Sequence, residues 1–292
     1  MPAHRNGPVS SNVRPLRLIP VYIVVDQNVL RKPMLAGYLE SGSRKRCVLI
    51  DTAFLEMTQS EEWLSTLRAS LSQLARVPER VFAAYSVSHS LSRELRTLQS
   101  AAGHMLWREA TVSVREVLTW VRTGQENATI RGMRNSPSHT DAKLKADHFN
   151  HSQNKETIES LVELVRGQLP HEFQKALRKP ATSDEDRLDA VHQLAKSVAY
   201  GVLAERGINR NRARAFLCKR PFFYRYLIVK AWNSLDWLYA GGLEDFKAKD
   251  ATNEMLDHHY ALTASFFDGV LSEDGKVNRA YTALQALALR EV

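Results

Sequence analysis

At 292 residues and 44% hydrophobic side chains, the chain has enough apolar surface to bury a core, as one large domain or two modest ones. No run approaches the roughly 18 apolar residues that span a bilayer, and the start lacks the apolar block of a signal peptide, so a soluble cytoplasmic protein with no membrane partner is expected. Two distant cysteines, Cys47 and Cys218, indicate neither a disulfide framework nor a thiolate zinc site, and 40 Lys and Arg against 32 Asp and Glu leave a net charge of +8, which favours a polyanionic partner through counterion release.

Residues 1–15 mix Pro, Ser, Asn and Arg without periodicity and read as a flexible tail. From Val21 to Val25 a β-branched apolar run stops at Asp26-Gln27-Asn28, as a buried parallel strand stops at its polar carboxyl end. Pro33 suits the first turn of a helix reaching about Glu40. Cys47 to Ile50 is a second strand, ending at Asp51 ahead of a helical segment through Met57. Ser60 opens a further helix, with an acidic start and a basic end near Arg76, and Val81 to Ala84 is a third strand.

Beyond this point the strand signal almost vanishes. Apolar residues recur at helical spacing over 88–122, 156–178, 184–206 and 212–240, while 124–155 is polar, rich in His and Asn, and reads as a long loop. After Gly241-Gly242 a helix over about 244–268 leads into Val270-Leu271-Ser272 and a last helix to about Leu289. The expected fold is α/β, a parallel sheet sandwiched by helices. Its first part is 16–87, its second part 241–292, and 88–240 is an all-helical insertion.

At the carboxyl edge of such a sheet, Asp26, Glu56, Asp257 and Asp274 can converge, because strand ends and the helices feeding them meet there. Each acid alone has an ordinary explanation as a cap or a solvated helix residue. Together they would repel one another without a cation, and hard ions such as Mg²⁺ or Mn²⁺ take oxygen ligands of this kind.

Four blocks carry a resemblance. Val24-Val25-Asp26-Gln27-Asn28-Val29-Leu30 is similar to the opening strand of PIN-domain nucleases, and Leu49 through Met57, with Glu56, resembles their second block. Asp257 ahead of the small-residue stripe to Ala264 resembles the third, and Val270-Leu271-Ser272-Glu273-Asp274 the fourth. The 17-residue separation of Asp257 and Asp274 is close to that family's. The likeness covers about 20–85 and 243–290. The insertion is longer than a compact member carries, Asp257 falls within a helix, and Asp250 and Asn253 precede it on one face, which makes Asp250 a further candidate ligand.

The resemblance implies a metal-dependent endoribonuclease hydrolysing single-stranded or tRNA-like RNA. Asp26, Glu56, Asp257 and Asp274 would hold one or two Mg²⁺ or Mn²⁺ ions that lower the pKa of the attacking water. Asn28 would orient Asp26 or a water on the ion, and Ser272 would steady the site or touch a phosphate. Lys276 and Arg279, just after Asp274, would meet the RNA. Arg212 and Arg220, in an Arg-rich segment interleaved with Phe and Tyr, have the composition of a single-strand binding surface. By analogy, a private helical lobe suggests a bacterial toxin or phage-defence effector, with the lobe meeting a regulatory protein or a second copy.

Two alternatives stand beside this. Arg134 and His139 match the Arg-x4-His spacing of metal-independent HEPN-type ribonucleases, although Pro137 between them argues for a loop. The other is an inactive PIN-like module that binds RNA or protein.

Overall fold

The computed structural model describes residues 19–135, 150–172, 174, 183–239 and 246–290. The expected tail 1–15, the Gly241-Gly242 junction and His139 lie outside them. Four strands, β1 (Val21–Val25), β2 (Lys45–Leu49), β3 (Val81–Ala83) and β4 (Gly269–Leu271), form a parallel sheet in the order β3-β2-β1-β4. Ile23 lies opposite Cys47 and Gly269, and Val48 lies opposite Phe82. Val24, Val25, Cys47, Val48 and Leu49 are buried, as β-branched and apolar runs are in a sheet covered on both faces. The chain adds β2 and β3 on one side of β1 and returns with β4 on the other. Between β1 and β4 the winding reverses, and open α/β sheets bind ligands beyond the carboxyl ends at such a point.

The helices are α1 (Pro33–Glu40), α2 (Asp51–Met57), α3 (Trp63–Leu71), α4 (Val87–Thr97), α5 (Arg108–Thr123), α6 (Ala128–Asn135), α7 (His151–Gln168), α8 (Asp184–Glu205), α9 (Arg210–Leu217), α10 (Phe222–Tyr239), α11 (Ala248–Ala264) and α12 (Gly275–Ala288). Pro33 opens α1 as its sequence position predicts. The helix expected over 60–76 is shorter, closing at Leu71 ahead of a 3-10 turn at Leu74–Arg76. The periodic stretch 88–122 is two helices, because Leu98 takes a left-handed conformation (φ 54) after α4. Residues 105–107 then run along the sheet edge: Tyr85 N–H donates to the Met105 carbonyl, and Trp107 N–H to that of Ala83. Inside the stretch expected as a loop, Asn127 starts α6 by accepting from the Ile130 N–H, and Ile130 itself is buried. The run 212–240 divides into α9 and α10 at Arg220 (φ 47) and Pro221.

Two apolar cores result. One lies between the sheet and its helices, and the other fills a lobe of α4, α7, α8, α9 and α10. Residues 88–240 were expected to be one insertion. Instead α5 and α6 turn Val114, Val117, Leu118, Trp120 and Ile130 into the sheet's core. The physical reason is the sheet edge: β3 is the end strand, and Thr111 on α5 accepts the outward Ala83 N–H that would otherwise stay unpaired. Helices α11 and α12 serve both cores, with Tyr260, Ala264 and Val277 in one and Ala251, Leu262, Leu284 and Leu287 in the other. Among the described residues no helix is long and apolar enough to cross a membrane.

Candidate active site

Asp26 follows β1 directly, and its N–H continues the ladder onto the Leu271 carbonyl of β4. Its buried carboxylate accepts from the Asn28 N–H at 3.3 Å and from the Ser272 hydroxyl. Ser272 also accepts from the Asp274 N–H at 3.0 Å, so one hydroxyl clasps the ends of the two strands that flank the reversal. Asp274 in turn caps α12, accepting from the Lys276 N–H at 2.6 Å. The capping explanation for Asp26 and Asp274 is therefore correct, and it is also what aims both carboxylates at the crevice.

Helix α2 brings in Glu56. Thr52 and Glu56, one turn apart, face α11, where Thr52 Oγ1 meets His259 Nδ1 at 3.3 Å and the Tyr260 hydroxyl donates to Glu56 at 2.6 Å. Tyr260 is 1% exposed and accepts from the Gln27 N–H at 3.3 Å, linking Glu56 to the residue after Asp26. Asp257 stands one turn before Tyr260 on α11, within the helix as expected. Among the described residues no donor hydrogen-bonds its side chain.

The electrostatics record the convergence. Burial pushes the Asp257 carboxyl up to about 7, with Asp274, Asp26 and Glu56 adding to the rise and Lys276 opposing it. Glu56 is also pushed up to about 7, by burial first and by Asp26, against the Tyr260 hydrogen bond. Asp26 is raised by burial, with the Ser272 and Asn28 hydrogen bonds pulling it down. Among the described residues, no three His, Cys, Asp or Glu side chains stand close enough to cage an ion directly. The donor set is all oxygen, and a hard divalent ion is commonly held by one or two carboxylates with water completing its shell.

The remaining expected residues are spread more widely. Asn28 acts through its backbone N–H, and its side chain is exposed, so side-chain orientation of Asp26 falls to Ser272 instead. Asp250 is exposed in the first turn of α11, roughly 10 Å along the axis from Asp257 at 1.5 Å per residue. Lys276 and Arg279 are exposed on the first turns of α12, and Arg279 Nη1 lies 3.2 Å from where a Cβ on Gly275 would stand. Arg212 is exposed on α9 in the lobe, which packs on α8. Arg220 donates to the carbonyls of Leu289 and Arg290, holding the end of α12. Arg134 ends α6 paired with Glu126.

Tyr260 is the residue that the sequence reading passed over. It lies inside the block that opens at Asp257, and only its spacing of three from Asp257 could have drawn attention to it. Replacing it by Phe leaves Glu56 without its donor, so Glu56 ionises only at higher pH. On the nuclease reading proposed below, the expected result is a cleavage rate about tenfold lower near neutrality, with the rising limb of the pH profile moved to higher pH.

On the opposite face of α2, Phe54, Trp63, Leu64, Trp107 and Met133 line a largely apolar cavity of about 750 Å³. Trp107 also stacks on Tyr85 at 5.4 Å, which stacks on His89 at 4.4 Å. Asp51 and Glu109 are the acids along its wall, and Asp26, Glu56, Asp257 and Asp274 are not among its lining residues. No protein-family model, curated protein or solved structure matches this chain, so its function is argued from the acidic crevice itself.

Proposed function

We propose that this chain is a metal-dependent endoribonuclease with a PIN-like α/β fold, acting on single-stranded or tRNA-like RNA in the cytoplasm. One observation carries the reading: four carboxylates, Asp26 just after β1, Glu56 on α2, Asp257 on α11 and Asp274 capping α12, lie within electrostatic reach of one another at the reversal of the sheet, and burial with mutual repulsion pushes Asp257 up to about 7. Such a cluster destabilises the fold unless a cation or a proton neutralises it. Asp26, Glu56, Asp257 and Asp274 would hold Mg²⁺ or Mn²⁺, one or two of them directly and the others through water. The ion would lower the pKa of the attacking water and offset charge on the phosphate.

The chain's own residues do the rest. Ser272 and the Asn28 N–H hold Asp26 in one orientation, and Tyr260 holds Glu56. Lys276, beside Asp274, supplies a cation at the rim to meet a backbone phosphate, and Arg279 follows one turn on. The net charge of +8 supports a polyanionic substrate. A toxin or defence role would give the lobe a regulatory partner.

The test is a cleavage assay on tRNA, rRNA and mRNA with Mn²⁺ or Mg²⁺, wild type beside Asp26→Asn. Wild type is expected to cleave, EDTA to stop it, and Asp26→Asn to lower the rate by about 100-fold or more while still binding RNA. Cleavage that survives EDTA, or is equal in Asp26→Asn, overturns the reading, and His139→Ala then tests the metal-independent alternative.

A further inference from the structure

The lobe reaches the acidic crevice through one buried carboxylate. Glu254 on α11, one turn before Asp257, is 6% exposed. Its Oε1 is fixed by α10, accepting from Trp237 Nε1 at 2.7 Å and from Asn233 Nδ2. Its Oε2 is buried without a hydrogen-bond partner, and the Lys276 ammonium stands 3.8 Å away. Lys230 on α10, 8% exposed, is within electrostatic reach of Glu254. Burial raises the Glu254 carboxyl, while Asn233, Trp237 and Lys276 act to keep it ionised.

We infer that Glu254 is a positioning residue: anchored by Asn233 and Trp237 of the lobe, it holds Lys276 at the rim of the acid cluster, where its ammonium meets a phosphate of the RNA. This rests on the nuclease reading. The geometry supports holding over sequestration, because the Lys276 side chain remains 53% exposed and, at 3.8 Å from Glu254 Oε2, pairs by charge without giving up any of its three N–H donors to that oxygen. A free lysine side chain loses much rotamer freedom on docking, and a fixed buried carboxylate removes part of that loss beforehand. It also gives the lobe a function in the site: the α10 face bearing Lys230, Asn233 and Trp237 sets where the cation sits.

The experiment is a double-mutant cycle on binding of a short single-stranded oligoribonucleotide, in an Asp26→Asn background that holds RNA without cleaving it. Lys276→Ala, a surface change, is expected to weaken binding and to lower the salt slope by about one. Glu254→Gln is expected to weaken it about three- to tenfold when Lys276 is present and not at all when Ala stands there. Trp237→Phe, which keeps the apolar volume but removes one donor, is the milder second variant, with the same dependence on Lys276. Equal losses in both backgrounds, tighter binding in Glu254→Gln, or no RNA binding at all overturns the proposal. The nuclease reading is judged separately by wild-type cleavage against Asp26→Asn, so either can fail alone.

Discussion

Asp257→Asn is expected to abolish cleavage and, in metal-free buffer at pH 8, to melt above the wild type. The sign follows from the direction of the shift. The Asp257 carboxyl sits near 7 in the folded chain, against an ordinary 3.8. Between these values the folded protein keeps a proton that the unfolded chain has released, so stability falls as pH rises through the window. Above 7 the whole cost is present. Because four carboxylates share the repulsion, removing one relieves on the order of 1–3 kcal/mol, or roughly 3–8 °C for a chain of this size.

At pH 5 the difference should narrow without vanishing, since folded wild type then holds a proton on Asp257 that the unfolded chain has mostly released. Added Mn²⁺ should raise the wild-type melting temperature at pH 8 and leave Asp257→Asn much less affected. Its apparent affinity should weaken below pH 7, by up to about tenfold per pH unit for each proton displaced. Thermal scans over pH 5–8, with and without Mn²⁺, measure all three. A mutant that melts below the wild type at pH 8 without metal would show that the carboxylates do not strain the fold.

Glu94→Ala should be among the most destabilising single changes in the lobe. Glu94 is fully buried on α4 and accepts from the N–H groups of Ala101, Phe222 and Phe223, the last two at the start of α10. It thereby satisfies orphan donors at a helix N-terminus and favours the positive end of its dipole. Arg225, whose guanidinium burial lowers to about 10, also faces it. Truncation leaves three buried donors without an acceptor and a buried cation without its counter-charge. The expected loss is about 3–5 kcal/mol, read as a lower urea midpoint in the fluorescence of Trp232 and Trp237 on α10. Glu94→Gln keeps an acceptor oxygen and should lose less. A loss under about 1 kcal/mol would mean that α4 and α10 are joined by apolar packing alone.

The strands and acids were legible because each carries a local signal. Val21–Val25 is a β-branched apolar run that stops at Asp26, and that change of residue type marks the strand end although Asp26 is itself buried. The short run at 270 was legible as apolar residues ahead of a polar stop, although the strand Gly269–Leu271 is only half-buried. The helix break at Arg220 carried a signal in Pro221 that the reading of 212–240 as one helical run did not use. The break at Leu98 was not legible, since leucine does not favour positive φ and packing imposes it. Nor was α6, whose polar composition resembles a loop except for Ile130 and the Asn127 cap.

The amino-acid sequence by itself determined the α/β class, the order of the strands along the chain, and which carboxylates lie next to strand ends, because hydrophobic periodicity and polar stops are properties of neighbouring residues. Only the tertiary structure decided the rest. It gave α5 and α6 to the sheet's core, tied Arg220 to the end of α12, and made Tyr260 the partner of Glu56, 204 residues away. It also turned Glu254 toward Lys276 rather than toward solvent. Those outcomes depend on which faces meet across long loops, where burial makes each unpaired donor or charge costly and so selects one partner among many.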